Sequence, residues 1–143
     1  MSKRAREVET FEKLVKVARA QADDIRATLA DIETARASAQ TSLDWLAQSV
    51  RQEEIRAADL GADGPAAFAR FLAAARQRRT NIEASIEQLR AREEDARTAL
   101  QDAYGEVKKL EVLAERRRLK IARDDRKAEE AALSDISAAR AGR

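Results

Sequence analysis

Several carboxylates of this chain come in adjacent pairs, among them Asp23-Asp24, Glu53-Glu54, Glu93-Glu94 and Asp124-Asp125. Two carboxylates can divide acid and base roles, but only where a desolvated pocket drives their pKa values apart. Nothing in the surrounding sequence promises such a pocket, so the pairs read as solvated helix faces. The chain has neither Cys nor His, which removes thiolate and imidazole nucleophiles, imidazole bases and the usual transition-metal ligands. A carboxylate-only cation site is the remaining metal chemistry, and no Asp/Asn/Gly loop of the EF-hand kind is present. Gly61 and Gly64 lack the following Lys-Ser/Thr of a phosphate-cradling loop. No enzyme activity, cofactor, metal or small-molecule substrate is therefore expected.

Two further sets of residues could bind rather than react. The densest basic run is Arg116, Arg117, Arg118 and Lys120, followed by Arg123, Arg126 and Lys127. Such a run can hold phosphates, or it can be the solvated face of a helix end. Acidic Glu115, Asp124 and Asp125 interleave with it, and no aromatic side chain stands by to stack bases, so nucleic acid is not the expected partner. The aromatic residues form the second set. Trp45 and Phe71 each neighbour an apolar stripe instead of lying on it; they serve either as exposed anchors for a partner or as shields folded over the seam. Phe68 reads as a cap on the hairpin tip, and Tyr104 as a core residue opposite Ile25.

The elements that must position these residues follow from spacing. Steps of three and four residues run Val8, Phe11, Val15, Ala18, Ala22, Ile25, Leu29, Ile32, Arg36, Ala39, Leu43, Leu46, Val50, Glu53, Ala57, Leu60, and fourteen of these sixteen are apolar. After a break at residues 61–65 the steps resume as Phe68, Leu72, Ala75, Arg79, Ile82, Ile86, Leu89, Glu93, Ala96, Leu100, Ala103, Val107, Leu110, Ala114, Arg117, Ile121, with thirteen of sixteen apolar. This is coiled-coil periodicity. A composition of 38% charged and 3% aromatic residues with one Pro suits long helices, not a globular core. The expected fold is all-α, a single antiparallel two-helix coiled-coil hairpin over residues 1–143. Helix 1 spans about 4–60 with Ser2 as a cap, the turn 61–64, and helix 2 about 65–136. Gly61 suits a left-handed position after a helix, and Pro65 the first turn of the next.

A turn centred near Asp63-Gly64 makes facing residues sum to about 128 or 129. Leu60 then meets Phe68, Ala22 meets Val107 and Leu29 meets Leu100. The charged interruptions also oppose one another: Arg36 faces Glu93, and Glu53 lies near Arg76 and Arg79. Both are predicted as cross-arm ion pairs that set register. Beyond Ile121 helix 2 has no counterpart, so residues 122–143 form an overhang that frays alone or orders on a partner. An extended dimer exchanging arms would satisfy the same stripes. No run of about 18 apolar residues exists, and residues 1–20 lack the apolar segment of a secretory signal, so the expected compartment is the cytoplasm. Charge is uneven: residues 1–60 carry ten Lys/Arg and eleven Asp/Glu, residues 65–143 eighteen and fourteen.

The segments Phe68–Ile82 and Ala103–Arg117, the latter with its Lys-Lys-Leu-Glu-Val-Leu-Ala-Glu-Arg core at Lys108 to Arg116, resemble the FliJ family of flagellar export proteins, as do the length and the Gly64-Pro65 entry to helix 2. Trp45 and Val50 depart from that pattern, standing where tyrosines are frequent. The resemblance implies an antiparallel coiled-coil stalk at the flagellar base, cytoplasmic and peripheral to the inner membrane. Its implied partners are the hexameric export ATPase, the cytoplasmic domain of the export-gate membrane protein and the export chaperones. It further implies a gate contact in the tip half (Leu43, Trp45, Leu46, Val50, Phe68, Phe71, Ala75) and an ATPase contact at the basic end (Arg116, Arg117, Arg118, Lys120, Arg123). Arms of about 55 residues reach roughly 80 Å at 1.5 Å rise per residue, long enough to address two partners.

Overall fold

Long runs of Ala, Glu, Arg, Leu and Gln, with no Pro between residues 1 and 64, favour helix almost everywhere. The computed structural model describes residues 2–142. It holds two long helices packed against each other as a helical hairpin: α1 (Lys3–Asp59), a 3₁₀ turn (Gly61–Asp63) and α2 (Gly64–Ala141), with no strand among the described residues. Ser2 caps α1, its Oγ accepting from the Ala5 N–H at 3.1 Å, while its carbonyl takes the Arg6 N–H. The helix expected to end near residue 136 runs on to Ala141. The ends of the expected domain, Met1 and Arg143, lie outside the described residues.

Two glycines make the turn for different reasons. Gly61 adopts φ 65°, the left-handed conformation that a Cβ disfavours. Gly64 has ordinary helical angles, but it is buried, and a Cβ there would stand 2.0 Å from the Ala57 carbonyl oxygen. Its N–H bonds to the Gly61 carbonyl. The first turn of α2 thus lies directly on the last turn of α1. Leu60, the last step of the first stripe, is exposed, because α1 ends at Asp59 and Leu60 already belongs to the turn.

Packing divides the chain into two units, Met1–Asp23 with Gln101–Arg143, and Asp24–Leu100. In the first, Ala18, Ala22 and Val107 form a buried cluster on which Ala103 and Leu110 pack, with Val15 and Ala114 also buried. In the second, Ala75, Ile86, Ala96 and Glu93 are buried. All these buried residues sit on the two stripes. Tyr104 does not: it is exposed, correcting its assignment to the core, because Ala103 and Val107 hold the seam and the next residue is rotated about 100° away.

Candidate functional site

Charged side chains tie the helices together within each unit. In the unit of Asp24–Leu100, Glu93 is only 3% exposed and yet carries a charge. Arg36 Nε lies 2.8 Å from its Oε2, and an Arg97 guanidinium nitrogen, one turn along α2, lies 2.5 Å from Oε1, both as ion pairs. Arg97 also reaches Glu33 across the seam at 3.8 Å. A buried carboxylate is tolerable when a cation stands against each of its oxygens in this way. The second cation, Arg97, was missed in sequence, although its i,i+4 spacing from Glu93 was there to read.

The other expected register pair does not form. Glu53 accepts from Arg56 at 3.0 Å and Arg79 donates to Glu83 at 2.8 Å, each within its own helix. The reason is angular. Arg79 lines a groove with Leu43, Val50 and Leu72, whereas Glu53 lines one with Ser49, Phe71 and Arg78. The two grooves share Leu46 and Ala75, so they open on opposite flanks of the seam. Same-helix partners at three and four residues are then nearer than a partner across the rod.

The same geometry divides the tip-half residues. Leu43, Leu46, Val50 and Ala75 meet around the first groove, an open depression of about 440 Å³. Trp45 stands on the other flank, 68% exposed, over a depression lined by Ser42, Leu46, Ser49 and Arg78. Half-buried Phe71 borders the adjoining depression, which again includes Leu46, Ser49 and Arg78. Trp45 and Phe71 therefore belong to one flank with Arg78 between them, and Trp45 does not shield the seam. Phe68 is half-buried near the turn and lines neither depression. Arg78, at i+7 from Phe71, is the flank residue that the sequence did not place among the expected binding residues.

In the unit of Met1–Asp23 with Gln101–Arg143 the basic run is split by function. Arg117 donates to Glu7 and Arg118 to Glu12 at 2.5 Å, both across the seam. The hydrogen bond to Glu12 is the largest cause raising the Arg118 pKa above its ordinary value. Arg19 reaches Glu111 at 2.6 Å. Arg4 lies 3.8 Å from Asp124 and 3.7 Å from Asp125, so α2 still has a counterpart as far as Asp125, beyond the residue 122 at which the overhang was expected to start. Arg116, Lys120 and Arg123 are exposed and take no part in these pairs; helical rotation puts them about half a turn from buried Ala114. They are the cations of the run that face outward.

Among the described residues no cluster of acidic side chains is arranged to hold a metal, and no helix is long and apolar enough to cross a membrane. The arrangement is one of surfaces: an aromatic flank with one arginine, and an outward basic face.

No curated protein and no solved structure matches the chain. The family model described as Flagellar FliJ protein matches residues 7–143. Two packed helices, and a match that spans nearly the whole chain, lead to one conclusion: this protein belongs to the FliJ family, structural components of the flagellar export apparatus.

Proposed function

We propose that the chain is a non-enzymatic stalk of the flagellar export apparatus that joins the hexameric export ATPase to the cytoplasmic domain of the export-gate membrane protein, and helps deliver export chaperones or their substrates. It works in the cytoplasm, peripheral to the inner membrane at the flagellar base. The observation that carries this reading is Trp45, a large aromatic side chain left 68% exposed beside Phe71 on one flank of a family member. Exposed tryptophans concentrate binding energy because they desolvate a large apolar area at low entropic cost. The gate contact then uses Trp45, Phe71 and Leu46 on one flank, with Leu43, Val50, Ala75 and Phe68 as their support. The ATPase contact uses Arg116, Lys120 and Arg123, while Arg117 and Arg118 hold α1 and α2 together beneath them.

The test is a binding titration of the purified chain against the gate's cytoplasmic domain, alongside ATPase assays with the export ATPase. Trp45→Ala is expected to weaken gate binding at least about tenfold with unchanged helicity, and Arg116→Glu with Lys120→Glu to abolish any effect on the ATPase. Full gate affinity in Trp45→Ala overturns the gate assignment; an ATPase indifferent to the wild-type chain overturns the stalk reading.

A further inference from the structure

In sequence the basic run of α2 is interrupted by acids; around the helix it is not. At about 100° per residue, an arc of about 120° on residues 108–127 lies opposite buried Ala114, on the side of α2 turned away from α1. Nine residues fall on it, and seven are Lys or Arg: Lys108 and Lys109 at one end, Arg116, Lys120 and Arg123 in the middle, Arg126 and Lys127 at the other. The remaining two are Val112, 37% exposed, and Leu119, 51% exposed. All the cations of the arc are exposed, and none takes part in an ion pair among the described residues. The acids of the same stretch lie off the arc, each against a cation: Glu111 meets Arg19, Glu115 meets Arg118, and Asp124 and Asp125 share Arg4. Acids return to the arc only at Asp102 before it and Glu130 after it. The result is a straight outer face about 29 Å long at 1.5 Å rise per residue, positive throughout.

We propose that this face of α2 lies on the surface of an anionic phospholipid bilayer, its cations on the headgroup phosphates and Val112 and Leu119 at the acyl boundary between them. Charge complementarity carries the choice of partner, because an acid-free row of cations has no counterpart within its own chain. The two aliphatic side chains narrow it. A bilayer interface offers apolar surface directly beneath its phosphates, so a helix face mixing Lys and Arg with aliphatic residues is matched by it. Nucleic acid fits less well: it leaves Val112 and Leu119 wet, and the face has no aromatic side chain to stack a base. No helix among the described residues is long and apolar enough to cross a membrane, so the contact is one of surface. Each Lys or Arg near an anionic surface multiplies affinity only about fivefold, so binding is the product of the whole face and stays reversible. Arg117 and Arg118 are turned toward α1, bound to Glu7 and Glu12, so holding the hairpin together does not consume the face. Arg116, Lys120 and Arg123 also belong to the proposed ATPase contact, and the two partners therefore exclude one another there. The inference does not rest on the export reading, since Lys109, Val112, Leu119 and Lys127 lie outside that contact.

The experiment is co-sedimentation of the full chain with vesicles of phosphatidylglycerol and phosphatidylcholine, and with phosphatidylcholine alone. Binding is expected to the first and not to the second, and to fall as salt rises. Lys109→Glu with Lys127→Glu should lower the partition coefficient at least about tenfold, with helicity by circular dichroism unchanged. Arg70→Glu with Arg92→Glu makes the same change in net charge at exposed sites of the other unit, and should leave binding alone. Val112→Ser with Leu119→Ser should weaken it without any change of charge. A chain that ignores phosphatidylglycerol vesicles at low salt overturns the proposal. Equal losses in the two double-charge variants overturn it too, because binding would then follow net charge and not this face. So does unchanged binding in Val112→Ser with Leu119→Ser, the behaviour of a face that takes any polyanion. Tighter binding to duplex DNA at equal phosphate concentration, lost in Lys109→Glu with Lys127→Glu, would assign the face to nucleic acid instead.

Discussion

Arg36 on α1 and Glu93 on α2 meet at 2.8 Å with the carboxylate almost wholly buried, so one charge in the seam is held by a residue 57 positions away. Removing the cation strands the anion. Arg36→Leu is expected to lower unfolding free energy by about 2 kcal/mol, with Arg97 limiting the loss. Adding Glu93→Leu should recover most of it, since an apolar pair of similar volume avoids desolvating charge. Urea unfolding of the single and double variants measures this; a double variant no better than Arg36→Leu contradicts it.

The turn glycines should respond unequally. Gly61→Ala meets no atom within 4 Å but must hold φ 65°, at a cost of about 1–2 kcal/mol. Gly64→Ala drives its Cβ into the Ala57 carbonyl, which is backbone and cannot swing aside, so α2 must shift. Thermal melts should place Gly64→Ala below Gly61→Ala, and the reverse order would show that the turn relaxes more easily than its packing implies.

Gly105 lies inside α2 with open space where a Cβ would go. Gly105→Ala is therefore expected to stabilise the chain by about 1 kcal/mol through helix propensity alone. Chemical denaturation decides the matter, and a destabilised variant would mean that the exposed site is covered in solution.

Trp45 is the only tryptophan, so its fluorescence reports one position. With most of its surface in water its emission should resemble that of free indole and be quenched readily by acrylamide. Trp45→Ala should change stability by no more than about 0.5 kcal/mol. A blue-shifted, protected emission would contradict the exposed flank.

The terminal ion pairs should be weak and salt-sensitive. Half-buried Arg117 bound to Glu7 is worth about 1 kcal/mol, measured by Arg117→Ala, and more exposed Arg118 less. Because the Arg118 pKa is raised, its contribution is complete below the ordinary arginine value and disappears only as pH rises through the higher folded value. From neutral to mildly alkaline pH the melting temperature should therefore stay flat, whereas molar salt should lower it. A melt that falls steadily through that pH range would place another titrating group in the seam.

The hairpin was legible because the seam is periodic: each buried side chain, including Glu93, occupies a step of three or four residues along one of two stripes. What periodicity omits is the sense of rotation away from the seam. Glu53 and Arg79 are both seam steps, yet they lean to opposite flanks, and so do Trp45 and Val50. Tyr104 was misassigned for the same reason. The role of Gly64 was hidden differently, since a glycine in a turn announces backbone freedom and not a neighbour's carbonyl at its Cα. The pairing of Arg4 with Asp124 and Asp125 obeys the same residue sum of 128 or 129; it escaped notice because the first stripe was counted only from Val8, and a charged pair on the flank adds no step to an apolar stripe.

Among the described residues, five of the eight buried apolar ones are alanines, and no large side chain is fully buried. This inverts the usual mutational sensitivity of a protein interior. Trimming has little to remove here, because the methyl groups that fill the seam are already the smallest side chains that pack. Enlargement has nowhere to go: at Ala18, Ala22 or Ala114 replacing the methyl by an isobutyl group must push the two backbones apart. Selection on such a molecule would tolerate drift across its charged faces while holding a sparse ladder of small residues nearly constant.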